Sequence, residues 1–339
     1  MKKLSVPMTF AGGILIFALL TPAAGFSDPR VEEAKKEGAM VLYSGMTVAD
    51  AKALLGAFEK KYPFIKTTHH RVSGARLISR IQTEHRAGRY LWDVFMQAGF
   101  DGYALLEEGY FTRYESPERV HFSDGHKDPE GYWTTAYVTP MTASYNKRLV
   151  SKGEVPKDYL DFLEPKWTAK LGVDPREVEW YANIKKVWGP DKARRFVTGL
   201  ARSRIALREG RALLTELLGA GEFAILVNNY LQNLVEAQEK GSPIELLALD
   251  PVIAGAGPIA IYRLAPHPNA ARLFVDFVLS KEGQEIIVHY GRSSARSDVR
   301  GNPIEKVKGV KIIPSDIKLG KFYRETLKEF QELLGVIKK

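Results

Sequence analysis

The stretch that most constrains the fold is GEFAILVNNYLQNLVE, residues 221–236. Residues 223–227 form a short apolar run with the length and composition of a buried strand. From Leu231 onward, apolar residues recur at helical spacing. The pattern predicts a strand, a polar turn over 228–230 and a helix, and free N–H groups at such a turn favour anionic ligands. A solvated turn with an Asn cap explains the same residues.

The same alternation of strand-like and helical segments extends along the chain. Strand-like runs occur at 40–43, 64–69, 93–96, 171–173, 205–207 and 243–247. Segments with helical periodicity separate most of them, as in residues 48–60. Strands that alternate with helices indicate an α/β protein with a mainly parallel sheet.

Two extended segments interrupt this alternation. Residues 131–145 read as extended on both sides of Pro140, and residues 254–262 form a second extended, glycine-bearing segment. We interpret them as two crossings between lobes. The first lobe then comprises residues 30–138 plus 255–339, and the second comprises 139–254.

The first 25 residues have the pattern of an export signal. Lys2 and Lys3 precede an apolar core over 8–20, and small residues over 21–25 suit cleavage. The apolar core is short for a transmembrane helix, although a retained anchor is the alternative. The sequence therefore predicts an exported protein with a cleaved signal peptide.

Composition excludes several classes of site. The chain has no cysteine, which removes disulfides, thiolate nucleophiles and Cys-ligated zinc. Removal of Lys2 and Lys3 with the signal takes the net charge from +9 to +7, a balance that favours capture of anions without selecting them. Basic residues are spread along the chain, so no nucleic-acid partner is expected.

Five segments carry a resemblance to a known family: VLYSGMT (41–47), WDVFMQAGFDGYALLEEGY (92–110), AYVTPMTASYNKRLV (136–150), GEFAILVNNYLQ (221–232) and APHPNAARLFVDFVLSKEGQEIIVHYGRSSAR (265–296). Their order resembles the periplasmic solute-binding proteins of ABC importers, in the branch that includes the ferric-iron binders. The resemblance implies a two-lobed periplasmic-binding-protein-like (type II) fold with hinge-linked α/β domains. It also implies a small-molecule ligand between the lobes, an ABC permease in the inner membrane as partner, and a monomer.

The resemblance does not extend to the iron ligands. Ferric-binding members hold the ion with a His, a Glu and two adjacent Tyr. Matched by motif, this chain has Thr47 and Ala98 in place of the His and Glu, and Tyr230 followed by Leu231 in place of the tyrosine pair. Because ferric ion favours oxygen donors, we expect no metal at the usual four-ligand site and no cofactor. Tyr230 is the one matching ligand if iron is bound.

Candidate ligand-binding residues of the first lobe lie at strand ends and helix starts: Tyr43, Ser44, Thr47, Ser73, Gly74, Arg76 and Gln97. Ser73 and Gly74 open a helix and form a cup suited to an anion. Arg76 opposes the dipole of that helix, so its position indicates either a bound anion or simple exposure. Thr47 also suits a helix cap.

The first crossing contributes Tyr137, and the second lobe contributes Asp174, Trp180, Tyr181, Arg208, Asn229 and Tyr230. Trp180 and Tyr181 follow a strand and either wall a cleft or belong to the core. Arg208 also follows a strand and either clamps an acid group bidentately or lies on the surface.

Together these features predict a receptor for a small anionic or zwitterionic solute with carboxylate or phosphoryl oxygen. One alternative is a ferric-ion binder with an altered ligand set. An enzyme on the same scaffold is a second, but H-E-x-x-H, G-x-S-x-G and the phosphate-loop motif are absent from the sequence. The effector domain of a transcription regulator is a third, and it requires a DNA-binding module where residues 1–25 are apolar.

Overall fold

The computed structural model describes residues 29–72 and 74–337, so the predicted signal peptide and Ser73 lie outside the described residues. The helices are α1 (Pro29–Glu37), α2 (Val48–Lys61), α3 (Ala75–Arg86), α4 (Gly99–Glu107), α5 (Val178–Trp188), α6 (Pro190–Arg202), α7 (Arg211–Ala220), α8 (Leu231–Glu239), α9 (Pro268–Leu279), α10 (Lys281–His289) and α11 (Tyr323–Leu334). In the part of the chain so described, no helix combines the length and apolarity needed to cross a membrane.

The strands are β1 (Ala39–Ser44), β2 (Lys66–Arg71), β3 (Val94–Met96), β4 (Phe111–Thr112), β5 (Thr134–Asn146), β6 (Leu171–Val173), β7 (Ala206–Leu207), β8 (Ile225–Tyr230), β9 (Ile244–Leu247), β10 (Val252–Tyr262) and β11 (Ile312–Pro314). They join into one sheet with the order β2-β1-β3-β10-β5-β8-β6-β7, while β4 and β11 also pair with β10 and β9 also pairs with β5. β1 runs parallel to β2 and β3, and β6 runs parallel to β7 and β8. The sheet thus contains two parallel groups, in agreement with the α/β class predicted from the sequence.

Two long antiparallel strands connect these groups. β5 and β10 pair from Met141 opposite Ile253 to Thr134 opposite Ile259, with an irregularity between Gly257 and Pro258. On its other side β5 pairs with β8, and on its other side β10 pairs with β3, both antiparallel. Pro140 lies within β5, so the extended segments predicted on its two sides form a single strand.

Hydrophobic side chains collect in two large cores on either side of this connection. The first contains Phe58 and Phe274 and includes Tyr137 of β5. The second contains Trp180 and Phe196. The second core also includes residues from the opposite ends of β5 and β10, so the two cores meet along these strands. The lobe limits at 138/139 and 254/255 remain predictions.

Helix α11 lies in the segment predicted for the first lobe, but it packs against the second core. Phe330 is buried and stacks on Tyr181 of α5 with ring centroids 4.8 Å apart, and Leu334 joins the same core. The apolar face of α11 therefore covers the helices of the second core, although residues 255–279 belong with the first.

The 221–236 stretch forms a longer strand than its sequence pattern predicts. β8 continues through Tyr230 and α8 begins at Leu231, without the polar turn expected between them. Asn228 and Asn229 are buried within the strand. Asn229 donates to Ser144 (3.2 Å) and accepts from Thr215 (3.0 Å), so partners on neighbouring elements satisfy it inside the core.

Candidate ligand-binding site

A cavity of about 230 Å³ lies where both parallel groups of strands end. Its lining includes Gly45, Gly74, Gln97, Ala98 and Asp101 from the first half of the chain and Glu179, Tyr230 and Gln232 from the second, with Tyr137, Gly255 and Arg292 between them. Carboxyl ends of parallel strands are where α/β proteins collect ligands. Both cores therefore contribute to one cavity.

Three helices begin at residues that line this cavity. The N-cap residues of α3, α4 and α8 are Gly74, Ala98 and Tyr230, and their side chains make no cap hydrogen bond. The backbone N–H groups in the first turn of a helix lack partners within that helix and carry partial positive charge. Together the three helix ends suit ligand oxygen atoms with negative charge.

Gln97 fixes the turn that precedes α3. In the amide orientation that satisfies both of its atoms, Gln97 donates to the carbonyl of Val72 (3.2 Å) and accepts from the N–H of Gly74 (2.9 Å). Gly74 has a φ of +62°, a backbone conformation that favours glycine. The side chain after β3 thereby positions the start of the neighbouring helix.

Arg292 supplies positive charge to the cavity and has two neighbours that hold it in place. Its guanidinium lies 4.7 Å from the ring centroid of Tyr137, and its Nε donates to Asp50 (3.4 Å). The ring of Tyr137 lies directly against Gly257, where a Cβ would come within 2.4 Å of it. Burial raises the pKa of Tyr137, so its hydroxyl is a neutral hydrogen-bonding group.

Two carboxyl groups face the same space. Glu179 is 8% exposed, and its Oε1 has no hydrogen-bond partner. Burial raises the pKa of Glu179 from 4.5 to about 7. Burial also raises the pKa of Asp101 to about 6, and the charge of Arg176 opposes part of that rise. The two groups therefore carry less negative charge near neutral pH than exposed carboxylates do.

Tyr230 lines the cavity, and the buried charged side chains of Arg211 and Glu177 contact its ring and its hydroxyl. Arg211 lies 4.3 Å from its ring centroid and pairs with Glu177, which accepts a hydrogen bond from the Tyr230 hydroxyl at 3.3 Å. Arg211 Nε also donates to the carbonyl of Asn228 at 2.5 Å. Burial raises the pKa of Tyr230 to about 12, while Arg211 opposes the rise.

Of the residues proposed from the sequence, the structure brings Gly74, Gln97, Tyr137 and Tyr230 to the cavity. Tyr43 instead lies in the core, where its hydroxyl accepts from Arg80 at 2.8 Å. The next strand residue, Ser44, is buried and hydrogen-bonds with His69 at 2.9 Å. Thr47 caps α2 by accepting from the Asp50 N–H (3.2 Å), and Ser73 is not described.

In the second half of the chain, Trp180 and Tyr181 are buried in the second core. Asp174 is buried and accepts from the N–H groups of Arg176 (2.9 Å) and Gly210 (3.0 Å). As described above, Asn229 is satisfied within the core. These side chains support the walls of the cavity without lining it.

The two arginines proposed as anion ligands, Arg76 and Arg208, both lie on the surface. Arg76 is exposed on α3 and does not line the cavity. Arg208 is exposed as well, and its guanidinium donates to the carbonyl of Leu207 at 2.9 Å and pairs with Glu222 at 3.4 Å. Both side chains follow a strand by only a few residues, but their helices and loops turn them outward.

The three charged side chains of the cavity, Asp101, Glu179 and Arg292, were not among the residues predicted from the sequence. Asp101 lies in the first turn of α4 and Glu179 in the first turn of α5. An acidic residue at the start of a helix that follows a strand is a local pattern by which both could have been found. Arg292 belongs to the Gly-Arg pair that follows α10. A short antiparallel bridge between Val138 and Ser293 brings that pair beside β5.

A larger groove of about 700 Å³ lies elsewhere and is lined mainly by residues 119–133 and 314–318. Two of its cations already have partners: Arg119 donates to the carbonyl of Trp133 (2.8 Å), and Lys186 pairs with Asp316 (2.7 Å). We therefore take the smaller cavity as the candidate site. Within the described residues, no three His, Cys, Asp or Glu side chains form a cluster that could hold a metal ion.

Comparison with known proteins agrees with this architecture. The major ferric iron-binding protein of Neisseria meningitidis serogroup A is 24% identical over 285 residues, which cover 80% of this chain and 83% of that protein. Among solved structures, iron-bound HitA from Pseudomonas aeruginosa has a TM-score of 0.75 at 21% identity and covers 86% of this chain and 99% of its own. AfuA from Actinobacillus pleuropneumoniae, solved with exogenous fructose-6-phosphate, has a TM-score of 0.75 at 22% identity and covers 88% and 99%.

The structural likeness shows the fold, which is that of the two-lobed periplasmic binding proteins. The sequence pattern of one family, described as bacterial extracellular solute-binding protein, matches residues 91–318. That match covers most of the chain, including both crossing strands and most of the residues that line the cavity. The chain therefore belongs to the bacterial extracellular solute-binding protein family.

Proposed function

We propose that this chain is the receptor of an ABC importer and captures a small anionic or zwitterionic solute in the cavity between its two cores. Proteins of this family bind small ligands and work with ABC permeases. The relatives include ferric-ion binders and a protein solved with a sugar phosphate. These relatives support a receptor role and leave the solute to be argued from the cavity itself.

The observation that carries the proposal is the convergence of positive groups on one small space. The first turns of α3, α4 and α8 start there without side-chain caps, and Arg292 lines the same wall. Oxygen atoms of a carboxylate or phosphoryl group suit both kinds of donor. The volume of about 230 Å³ is below the range of roughly 300–1,000 Å³ typical of drug-sized ligands, so the solute is small.

A solute in this position contacts residues that belong to both cores. Ligand contacts made only when the lobes approach each other stabilise the closed form. We assign residues 30–138 and the segment from 255 to the end of α10 to one lobe, and 139–254 together with α11 to the other. β5 and β10 then serve as the hinge.

A thermal-shift screen followed by calorimetry tests the proposal. Small carboxylates, phosphate esters, phosphonates, neutral sugars and ferric salts are screened against the purified protein. We expect the hits to carry carboxylate or phosphoryl oxygen, and Arg292→Ala to weaken their binding by about 30-fold or more. Arg208→Ala, the exposed control, should bind like the wild type. A neutral sugar as the tightest solute, or unchanged affinity in Arg292→Ala, would contradict the proposal.

Ferric ion is the second candidate because four phenol or carboxyl side chains line the same cavity: Tyr137, Tyr230, Asp101 and Glu179. These are hard donors of the kind that ferric ion prefers. Against it, Ala98 and Leu231 supply no donors, and Leu231 lies in a core cluster. Ferric citrate titration should give no strong visible tyrosinate band; a band that disappears in Tyr230→Phe would favour iron instead.

Membership of a family of extracellular binding proteins supports the remaining parts of the proposal. We propose that residues 1–25 are removed as a signal peptide, that the mature protein works in the periplasm as a monomer, and that it neither catalyses a reaction nor binds nucleic acid. Amino-terminal sequencing of the exported protein tests the cleavage, and its mass in solution tests the monomeric state. Retention of the apolar segment, or a stable dimer, would contradict the first or second of them.

A further inference from the structure

The cavity contains buried oxygen acceptors that no protein group satisfies. Glu179 is more than nine-tenths buried, and its Oε1 lacks a partner, although Ser315 hydrogen-bonds to the carboxyl group. The amide oxygen of Gln232 is also buried without a partner and lines the same space. Buried acceptors of this kind are uncommon in folded proteins and are unfavourable unless a ligand or water supplies the donor.

The position of Glu179 directs its free oxygen at the ligand space. Gly255, another lining residue, has no side chain to cover it, and a Cβ there would lie 3.2 Å from Oε1. The arginine of the cavity does not serve as its partner, because Arg292 stacks on Tyr137 and contacts Asp50. The charge of Glu179 is thus left for the solute to match.

The cavity contains both positively charged and negatively charged groups. Arg292 and the starts of α3 and α4 offer positive charge, whereas Glu179 offers a carboxylate. Besides burial, the charge of Asp101 on α4 raises the pKa of Glu179. Burial and the charges of Glu179 and Asp101 likewise raise the pKa values of Tyr137 on β5 and Tyr230 on β8. A simple anion would satisfy only the positive groups and would bring its charge close to two carboxyl groups.

We infer that Glu179 accepts a hydrogen bond from a protonated amine of the solute, with Gln232 as a second acceptor, so that the solute is a zwitterion whose acid group lies toward Arg292. This inference rests on the proposed receptor function and narrows its substrate class. An ammonium group supplies both the hydrogen-bond donor and the charge that a buried carboxylate requires. A hydroxyl group supplies the donor alone.

Matched ligand series test the inference. Aminoethylphosphonate, hydroxyethylphosphonate and ethylphosphonate form one series; β-alanine, its hydroxy analogue and propionate form another, and each hit from the screen is paired with its amine-free analogue. We expect the amine to bind the wild type tighter than its partners by about 30-fold or more, as for a buried charge pair. Glu179→Gln should lose this preference, because the amide removes the charge at nearly constant volume.

Glu164→Gln is the matched control, since Glu164 is exposed and pairs with Lys166 at 3.0 Å on the surface. It should keep the wild-type preference for amines. Equal affinity for the amine and the amine-free member in every pair, or an amine preference that survives in Glu179→Gln, would overturn the inference. Glu179→Gln is expected to fold, and its unfolding transition checks this directly.

Proton exchange on binding gives an independent readout. The pKa of Glu179 is about 7, so roughly half of these groups are protonated near pH 7. An ammonium bound beside the carboxyl lowers that pKa, and binding releases protons. Calorimetry of β-alanine in buffers of different ionisation enthalpy should show clearly more release in the wild type than in Glu179→Gln, where only Asp101 remains as a partly protonated carboxyl of the cavity. Proton uptake, or no exchange, in the wild type would contradict the role of Glu179.

The inference and the proposed function fail in different ways. If amine-free acids bind as tightly as amines and Arg292→Ala weakens them all, the receptor for anions stands and the role of Glu179 is wrong. If acids with and without amines all fail to bind, both statements are wrong. If amines bind best through Glu179 but Arg292→Ala has no effect, the inference about the amine stands while the acid site must lie elsewhere.

Discussion

At the scale of single residues, two arginines three positions apart have opposite surroundings. Arg208 is exposed on the surface and pairs with Glu222. Arg211 is buried, pairs with Glu177, donates to the carbonyl of Asn228 and supports the ring of Tyr230. Removing a buried ion partner leaves the other charge uncompensated, whereas removing an exposed one changes little.

We therefore expect Arg211→Ala to lower the free energy of unfolding by about 3–5 kcal/mol, because Glu177 loses its counterion inside the protein. Arg208→Ala should change it by less than about 0.5 kcal/mol. Urea unfolding followed by circular dichroism measures both. Similar midpoints for the two variants would show that the Arg211 cluster does not hold the site together.

The raised pKa of Glu179 predicts a specific pH dependence of stability. Between its ordinary value of 4.5 and about 7, the folded protein binds more protons at this site than the unfolded chain. Stability therefore falls as the pH rises through this window, by up to about 3 kcal/mol from this group. Glu179→Gln should match the wild type near pH 5 and exceed it near pH 8.

Thermal unfolding of the unliganded proteins at these two pH values measures the effect, with Glu164→Gln as the control. The exposed control should follow the wild-type profile. If Glu179→Gln and the wild type show the same difference between the two pH values, the carboxyl group is not buried as the structure has it.

The sequence located part of the site at this scale. Gly74 was recognisable because it opens a predicted helix, Gln97 because it follows a predicted strand, and Tyr230 because it lies in a predicted strand-to-helix turn. Each of these positions depends only on local pattern. Glu179 was passed over for its neighbours Trp180 and Tyr181, since the pattern alone did not show which face of α5 meets the core. Arg292 reaches the cavity through a contact with β5 that is distant in sequence.

At the scale of elements, glycines on β10 allow cavity side chains to lie against the crossing strand. A Cβ at Gly257 would come within 2.4 Å of the Tyr137 ring, so that ring must move if the side chain is added. We expect Gly257→Ala to cost about 1–3 kcal/mol of stability. It should also weaken solute binding, because Arg292 stacks on the same ring.

Gly309→Ala is the control for this substitution, as nothing lies within 4 Å of its added Cβ. The unfolding midpoint and the solute affinity are measured for both variants, and only Gly257→Ala should lower them. A Gly257→Ala variant with wild-type stability and affinity would show that Tyr137 is not held against β10.

Helix α11 provides the second test at this scale. Phe330 is fully buried and stacks on Tyr181, so Phe330→Ala should lower the free energy of unfolding by about 3–5 kcal/mol. Val336, just beyond the helix, is 42% exposed, and Val336→Ala should cost less than about 0.5 kcal/mol. Denaturant unfolding distinguishes this packing from a detached terminal helix, for which both substitutions would be nearly neutral.

Most elements follow from local pattern, and the exceptions have identifiable causes. β8 extends to Tyr230 because Ser144 and Thr215 satisfy Asn229 inside the core, and no local signal reveals such partners. The assignment of α11 to the first lobe followed chain continuity after β10. Its buried side chains Phe330 and Leu334 instead pack with α5 and α6. Tertiary contacts, which the order of elements along the chain does not show, determine this packing.

At the scale of the whole molecule, two cores share one sheet and are connected through β5 and β10. The strand ends of both parallel groups, three uncapped helix starts and three charged side chains meet in the cavity between these cores. The alternation of strands and helices predicted this class of fold, and the two extended segments predicted the crossing strands. The chemistry of the cavity required the structure, because its charged side chains come from distant parts of the chain.

The most direct test of the central claim is a crystal structure of the protein with the tightest solute from the screen. We predict that the solute lies among Tyr137, Tyr230 and Arg292, with its acid group near Arg292 and the start of α4. A solute bound instead in the larger groove beside Trp133 and Lys186, with none between the two cores, would contradict the account.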